Sequence, residues 1–107
     1  MLVSREEVLN EDGSIGYIES VFKSENILKI IYFVESQRLY ISFSRGDTYR
    51  YENIGLDFYQ DFEDADSNGK FFHSKIKPRY PASREFTLSP YEIEGFRKTI
   101  EEHEEDD

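Results

Sequence analysis

The sequence predicts an α+β fold, an antiparallel three- to four-stranded β-meander packed against two or three helices. Three observations predict it. Ile27–Val34 is rich in β-branched and aromatic side chains, with the length of a strand apolar on both faces and therefore central. From Leu56 the apolar spacing changes from period two to the period of a helix. At Ser89-Pro90 a capped amphipathic helix opens.

The elements follow in order. Met1–Asn10 carries Ser4 and Glu7 at capping-box spacing, so a short helix and an irregular arm are both open. Glu11-Asp12-Gly13 is a turn. Ile15, Tyr17, Ile18, Val21 and Phe22 read as an extended lead-in segment or an edge strand. After the Ile27–Val34 strand, Glu35-Ser36-Gln37 turns the chain into Arg38–Phe43. There Leu39, Ile41 and Phe43 share one face and Tyr40 and Ser42 the other. Arg45-Gly46-Asp47 is the next turn, with Gly46 supplying a positive φ, and Thr48–Tyr51 is the third strand.

In the first helix Leu56, Tyr59, Phe62 and Phe58 form the apolar side, and Asp57, Asp61, Glu63 and Asp64 face water. Ser67-Asn68-Gly69 stops it, with Gly69 expected in the left-handed conformation. Lys70–Ile76 reads as a second short helix, broken by Pro78 and Pro81, and Arg84–Leu88 as a short fourth strand. In the last helix Ser89 is the N-cap, Pro90 the first helical residue and Glu92 the partner in a capping box. Ile93, Phe96 and Ile100 make its stripe, and the acidic run Glu101–Asp107 is expected to fray.

The length of 107 residues makes one domain, 1–107. Hydrophobic residues are 37% and aromatics 16%, so the core is expected to be rich in Phe, Tyr and Ile. With no cysteine, a disulfide framework, a thiolate metal site and a cysteine nucleophile are excluded. No apolar run reaches the roughly 18 residues of a membrane span, and the acids among residues 1–20 argue against a signal peptide. The expected location is cytoplasmic, with no membrane partner. The net charge of −10 opposes nucleic acid binding, but it is unevenly spread. Lys70, Lys75, Lys77, Arg79 and Arg84 fall in an acid-free stretch of the sequence.

From about Ser20 to Tyr80 the chain resembles the KTSC domain family, named after the C-terminal domain of some lysyl-tRNA synthetases. The residues that carry the resemblance are Ser24-Glu25-Asn26-Ile27, Tyr49-Arg50-Tyr51, Phe58-Tyr59, Ser67-Asn68-Gly69-Lys70-Phe71-Phe72, Ile76 and Tyr80. The resemblance implies a compact domain of strands followed by helices. It also implies a binding module that occurs alone or fused to tRNA synthetases, for which RNA binding has been proposed. Residues 1–19 are then an N-terminal arm, and 81–107 a C-terminal strand–helix extension ending in an acidic tail.

Two constellations point to a ligand. Tyr49 and Tyr51 share one face of a strand and Arg50 the other, so the tyrosines either stack bases or pack against the first helix. Lys70–Arg84 interleaves its cations with Phe71, Phe72, His73 and Tyr80, a combination suited to single-stranded nucleic acid or an acidic peptide unless acids of the first helix neutralise it. The nucleic-acid-binding candidates are therefore Tyr49, Arg50, Tyr51, Lys70, Phe71, Phe72, Lys75, Lys77 and Arg79. Asp64–Gly69 imitates half of an EF-hand loop, but its twelfth position is Lys75 instead of a bidentate Glu, so no metal is expected. His73 and His103 are the only histidines, and no nucleophile, phosphate loop or metal-ligand pair accompanies them; neither catalysis nor a cofactor is expected. Two readings remain: an RNA-binding module, or an acidic interaction or inhibitor protein, a phage-type nucleic-acid mimic that binds a basic partner protein.

Overall fold

Strand-forming residues dominate the first half of the chain, and in a computed structural model they form more strands than the sequence predicts. The structure describes residues 2–105. Six strands, β1 (Leu2–Leu9), β2 (Ile15–Phe22), β3 (Ile27–Phe33), β4 (Arg38–Phe43), β5 (Asp47–Tyr51) and β6 (Ser83–Thr87), pair antiparallel in chain order. The α+β meander is as expected, but it has six strands, not three or four. Ser4 and Glu7 do not cap a helix: both lie in β1, opposite Val21 and Ile18. Nor is β2 an edge strand, since β1 covers its outer side.

β3 is central, and its alternation gives the sheet two different faces. Ile30 and Tyr32 point to one, where Ile18, Phe22, Leu39, Ile41 and Tyr51 complete the buried core. Helix α1 (Leu56–Asp64) lies on that face and buries Tyr59 and Phe62, while Leu56 is left 40% exposed. Tyr32 and Tyr59 stack with centroids 4.3 Å apart, and the Tyr32 hydroxyl donates to the Ile54 carbonyl at 2.7 Å. That bond supplies the partner a buried hydroxyl requires.

A short α2 (Asn68–Phe71) runs directly into one π-helical turn, Phe72–Ile76, marked by the Lys77 amide donating to the Phe72 carbonyl at 2.9 Å. Phe71 packs on Phe58 and Phe62, while Phe72 packs on Phe43 and Tyr51. Gly69 is not the left-handed stop expected. It is helical, and the stop comes from Asn68, whose buried side-chain amide donates to the Phe62 carbonyl at 2.8 Å. Asn68 is therefore committed to the end of α1 and unsuited to ligate calcium.

Helix α3 (Pro90–Glu105) lies on the opposite face. Its capping box is formed, with the Glu92 amide donating to Ser89 Oγ and the Ser89 amide to Glu92 Oε1. Phe96 sits under the Lys29 ammonium, 4.6 Å from its ring centroid. Ile93 reaches Gly46, whose φ of +97° is the left-handed turn expected. The acidic run from Glu101 continues this helix to Glu105; the expected fraying at Asp106 and Asp107 lies outside the described residues.

Candidate nucleic-acid interface

The residues singled out from sequence divide into three groups. Tyr51, Phe71 and Phe72 are core: they are 3%, 9% and 5% exposed, and their rings are spent on neighbouring aromatics. Tyr51 and Phe72 reach the groove at the end of the sheet only by an edge, and none of the three has an open ring face. Arg50 points away from the two tyrosines and is already paired with Glu85 at 2.8 Å and Glu52 at 3.7 Å. Arg84 is likewise paired, with Asp47 at 3.1 Å.

The second group is a set of four exposed cations. Lys70, Lys75, Lys77 and Arg79 are exposed, and among the described residues none of them forms an ion pair. The acids of α1 therefore do not neutralise this stretch. Lys75 nevertheless stands apart, with its ammonium 5.0 Å from the Phe71 ring centroid on the side of α1.

The third group meets in a groove between the end of the sheet and the π turn. A depression of about 750 Å³ is lined by Tyr49, Phe43 and Phe72 at its floor and by His73, Lys77 and Tyr80 on the helical bank. The half-buried Tyr49 packs edge-on against Phe43, centroids 5.9 Å apart, which holds its ring while leaving part of it open. His73 is exposed and packs edge-on against Phe72, with centroids 5.3 Å apart. A second depression adjoins the first at Glu25, Asn26 and His73 and is lined by Lys70. A third adjoins it at Tyr80 and Pro81 and is lined by Arg79. Lys70, Lys77 and Arg79 thus follow one path along the helical bank.

Sequence reasoning missed the opposite bank. Glu25 and Asn26, from the β2–β3 loop, and Arg45, from the β4–β5 turn, line the same groove. Ser24-Glu25-Asn26-Ile27 helps carry the family resemblance, but nothing local marks these residues as part of a site, because the fold brings them to His73 and Lys77 from far along the chain. Among the described residues no three His, Cys, Asp or Glu side chains could hold a metal ion, and no helix is long and apolar enough to cross a membrane.

The comparisons with known proteins agree with this architecture. The chain is similar to the crystal structure of a KTSC domain protein from Yersinia pestis, with a TM-score of 0.62 and 28% identity, over 65% of this chain and 99% of that one. No curated protein matches it. The family model of the KTSC domain matches residues 23–80, a region that contains β3 to β5, α1, α2, the π turn and most of the groove. That match spans more than half of the sequence, and the chain belongs to the KTSC domain family.

Proposed function

We propose that this KTSC domain is a non-catalytic module that binds single-stranded RNA along the groove between the sheet end and the π turn. The observation that carries the reading is the row of cations without ion-pair partners among the described residues, Lys70, Lys77 and Arg79, on one bank of a groove floored by Tyr49. In a protein of net charge −10, unneutralised cations beside an aromatic ring are unusual surface. Phosphates would lie against the helical bank, and a base would stack on the open part of Tyr49 or on Tyr80. Lys75, Arg50, Tyr51, Phe71 and Phe72 take no part.

Fluorescence anisotropy of a labelled single-stranded RNA tests it. Affinity should fall with salt, with a log–log slope of about −2 for three phosphate contacts on a single strand. Lys70→Glu with Lys77→Glu should abolish binding, and Lys75→Glu should leave it unchanged. No binding at low salt, or equal loss from all three substitutions, would overturn the reading and direct attention to a basic protein as the partner of the acidic surface.

A further inference from the structure

The two banks of the main depression differ in chemistry. Every charge on the helical bank is a potential cation, His73 and Lys77, whereas the sheet bank carries both carboxylates of the depression, Glu25 and Asp47, together with one cation, Arg45. Asp47 is engaged, accepting from Arg84 and from the Thr87 hydroxyl at 3.1 Å each. Glu25 is not: it is exposed, and among the described residues its carboxylate has no hydrogen bond or ion pair. The neighbouring Asn26 side chain is also exposed and, among the described residues, forms no hydrogen bond. Glu25 and Asn26 line both the main depression and the one that adjoins it at Lys70, so a strand following the cations passes them.

Resting on the single-stranded RNA reading above, we infer that Glu25 and Asn26 select the base, favouring cytosine and adenine over uracil. A strand with its phosphates on Lys70 and Lys77 turns its bases toward the sheet bank. A carboxylate there repels phosphate and can only accept hydrogen bonds. The exocyclic amino groups of cytosine and adenine donate to such an acceptor, and the Asn26 amide complements the adjacent ring nitrogen. Uracil has no exocyclic amino group; its single N3–H donor is flanked by two carbonyl oxygens, and these meet the carboxylate unfavourably.

The test is a competition among labelled oligomers of cytidine, adenosine and uridine, with the wild-type chain and with Glu25→Gln. The wild type should prefer the cytidine and adenosine oligomers over uridine by about tenfold, the discrimination of one good base-edge contact. Glu25→Gln keeps the size of the side chain but adds a donor. It should raise uridine binding and bring the ratio within about twofold, while Asn26→Ala should lower the preference with Glu25 intact. Thermal melting of each variant, expected unchanged because both residues are exposed, separates a lost contact from a lost fold. Equal binding of all three oligomers by the wild type would overturn base selection and leave the RNA reading standing. Failure of all three to bind would overturn both.

Discussion

The segments that flank the KTSC region extend its sheet on opposite sides, and they do so on different physical terms. On the N-terminal side β2 places Ile18, Ser20 and Phe22 in the core, at 1%, 0% and 0% exposure. From β1, Arg5 reaches across to Glu63 of α1, whose side chain is 8% exposed. On the C-terminal side every residue of β6 is exposed, and α3 covers the second face with a few half-buried residues. One flank completes the core; the other is laid over a finished one. Hydrogen-bonded pairing alone does not make a strand essential, because stability follows the apolar area it removes from water.

That difference should appear first in large-to-small substitutions. Phe22→Ala in β2 should cost about 3–5 kcal/mol in urea unfolding, whereas Phe86→Ala in β6, 47% exposed, should stay within about 0.5 kcal/mol. Equal losses would erase the distinction between the flanks.

The ion pairs sharpen it. Arg5→Ala strands the Glu63 carboxylate in a buried setting. It should cost about 3 kcal/mol, the low end for a broken buried pair because Arg5 itself is 30% exposed. Arg84→Ala removes an exposed pair of the kind that contributes about 0–1 kcal/mol. A double-mutant cycle on each pair checks both values. At the junction of the flank and the core, Gly46→Ala forces a left-handed φ on alanine. It also sets a Cβ 3.0 Å from the Leu88 carbonyl oxygen and from Ile93 Cδ1. A loss of about 1–3 kcal/mol in thermal or urea melts is expected.

The core has its own pH signature. Burial, aided by the Tyr49 hydroxyl, pushes the Tyr51 phenol up to about 12, and burial raises Tyr32 and Tyr59 as well. The folded state therefore holds protons that the unfolded state releases. The stabilisation is fully present below the ordinary tyrosine value of about 10 and is lost as pH rises from there through about 12. Tyrosinate absorbance from these three rings should appear only together with alkaline unfolding.

Much of this was legible in the sequence. The run Ile27–Val34, the alternation of Arg38–Phe43 and the capping box at Ser89 each obeyed a local period or cap, and each is in place. β1 was not legible, because its inward position at Arg5 holds an ion whose partner, Glu63, lies far along the chain. The Ser4–Glu7 spacing of a helix cap was overridden by pairing with β2. Gly69 misled because the Asn68 side chain, not a left-handed glycine, ends α1. The cation run was visible, but its division was not: at the π turn Lys75 lies over Phe71 while Lys77 lines the groove. Glu25, Asn26 and Arg45 join the site only through tertiary structure.

The groove belongs almost wholly to the region that the two flanks enclose, so its use can be located directly. An amide ¹H–¹⁵N correlation titration of the full chain with a single-stranded cytidine oligomer would do so. Shifts are predicted at Asn26, Tyr49, His73, Lys77 and Tyr80, with α3 unmoved. Shifts confined to α1, α3 or the face beneath α3, or none at saturating oligomer, would contradict the assignment of this groove as the binding site.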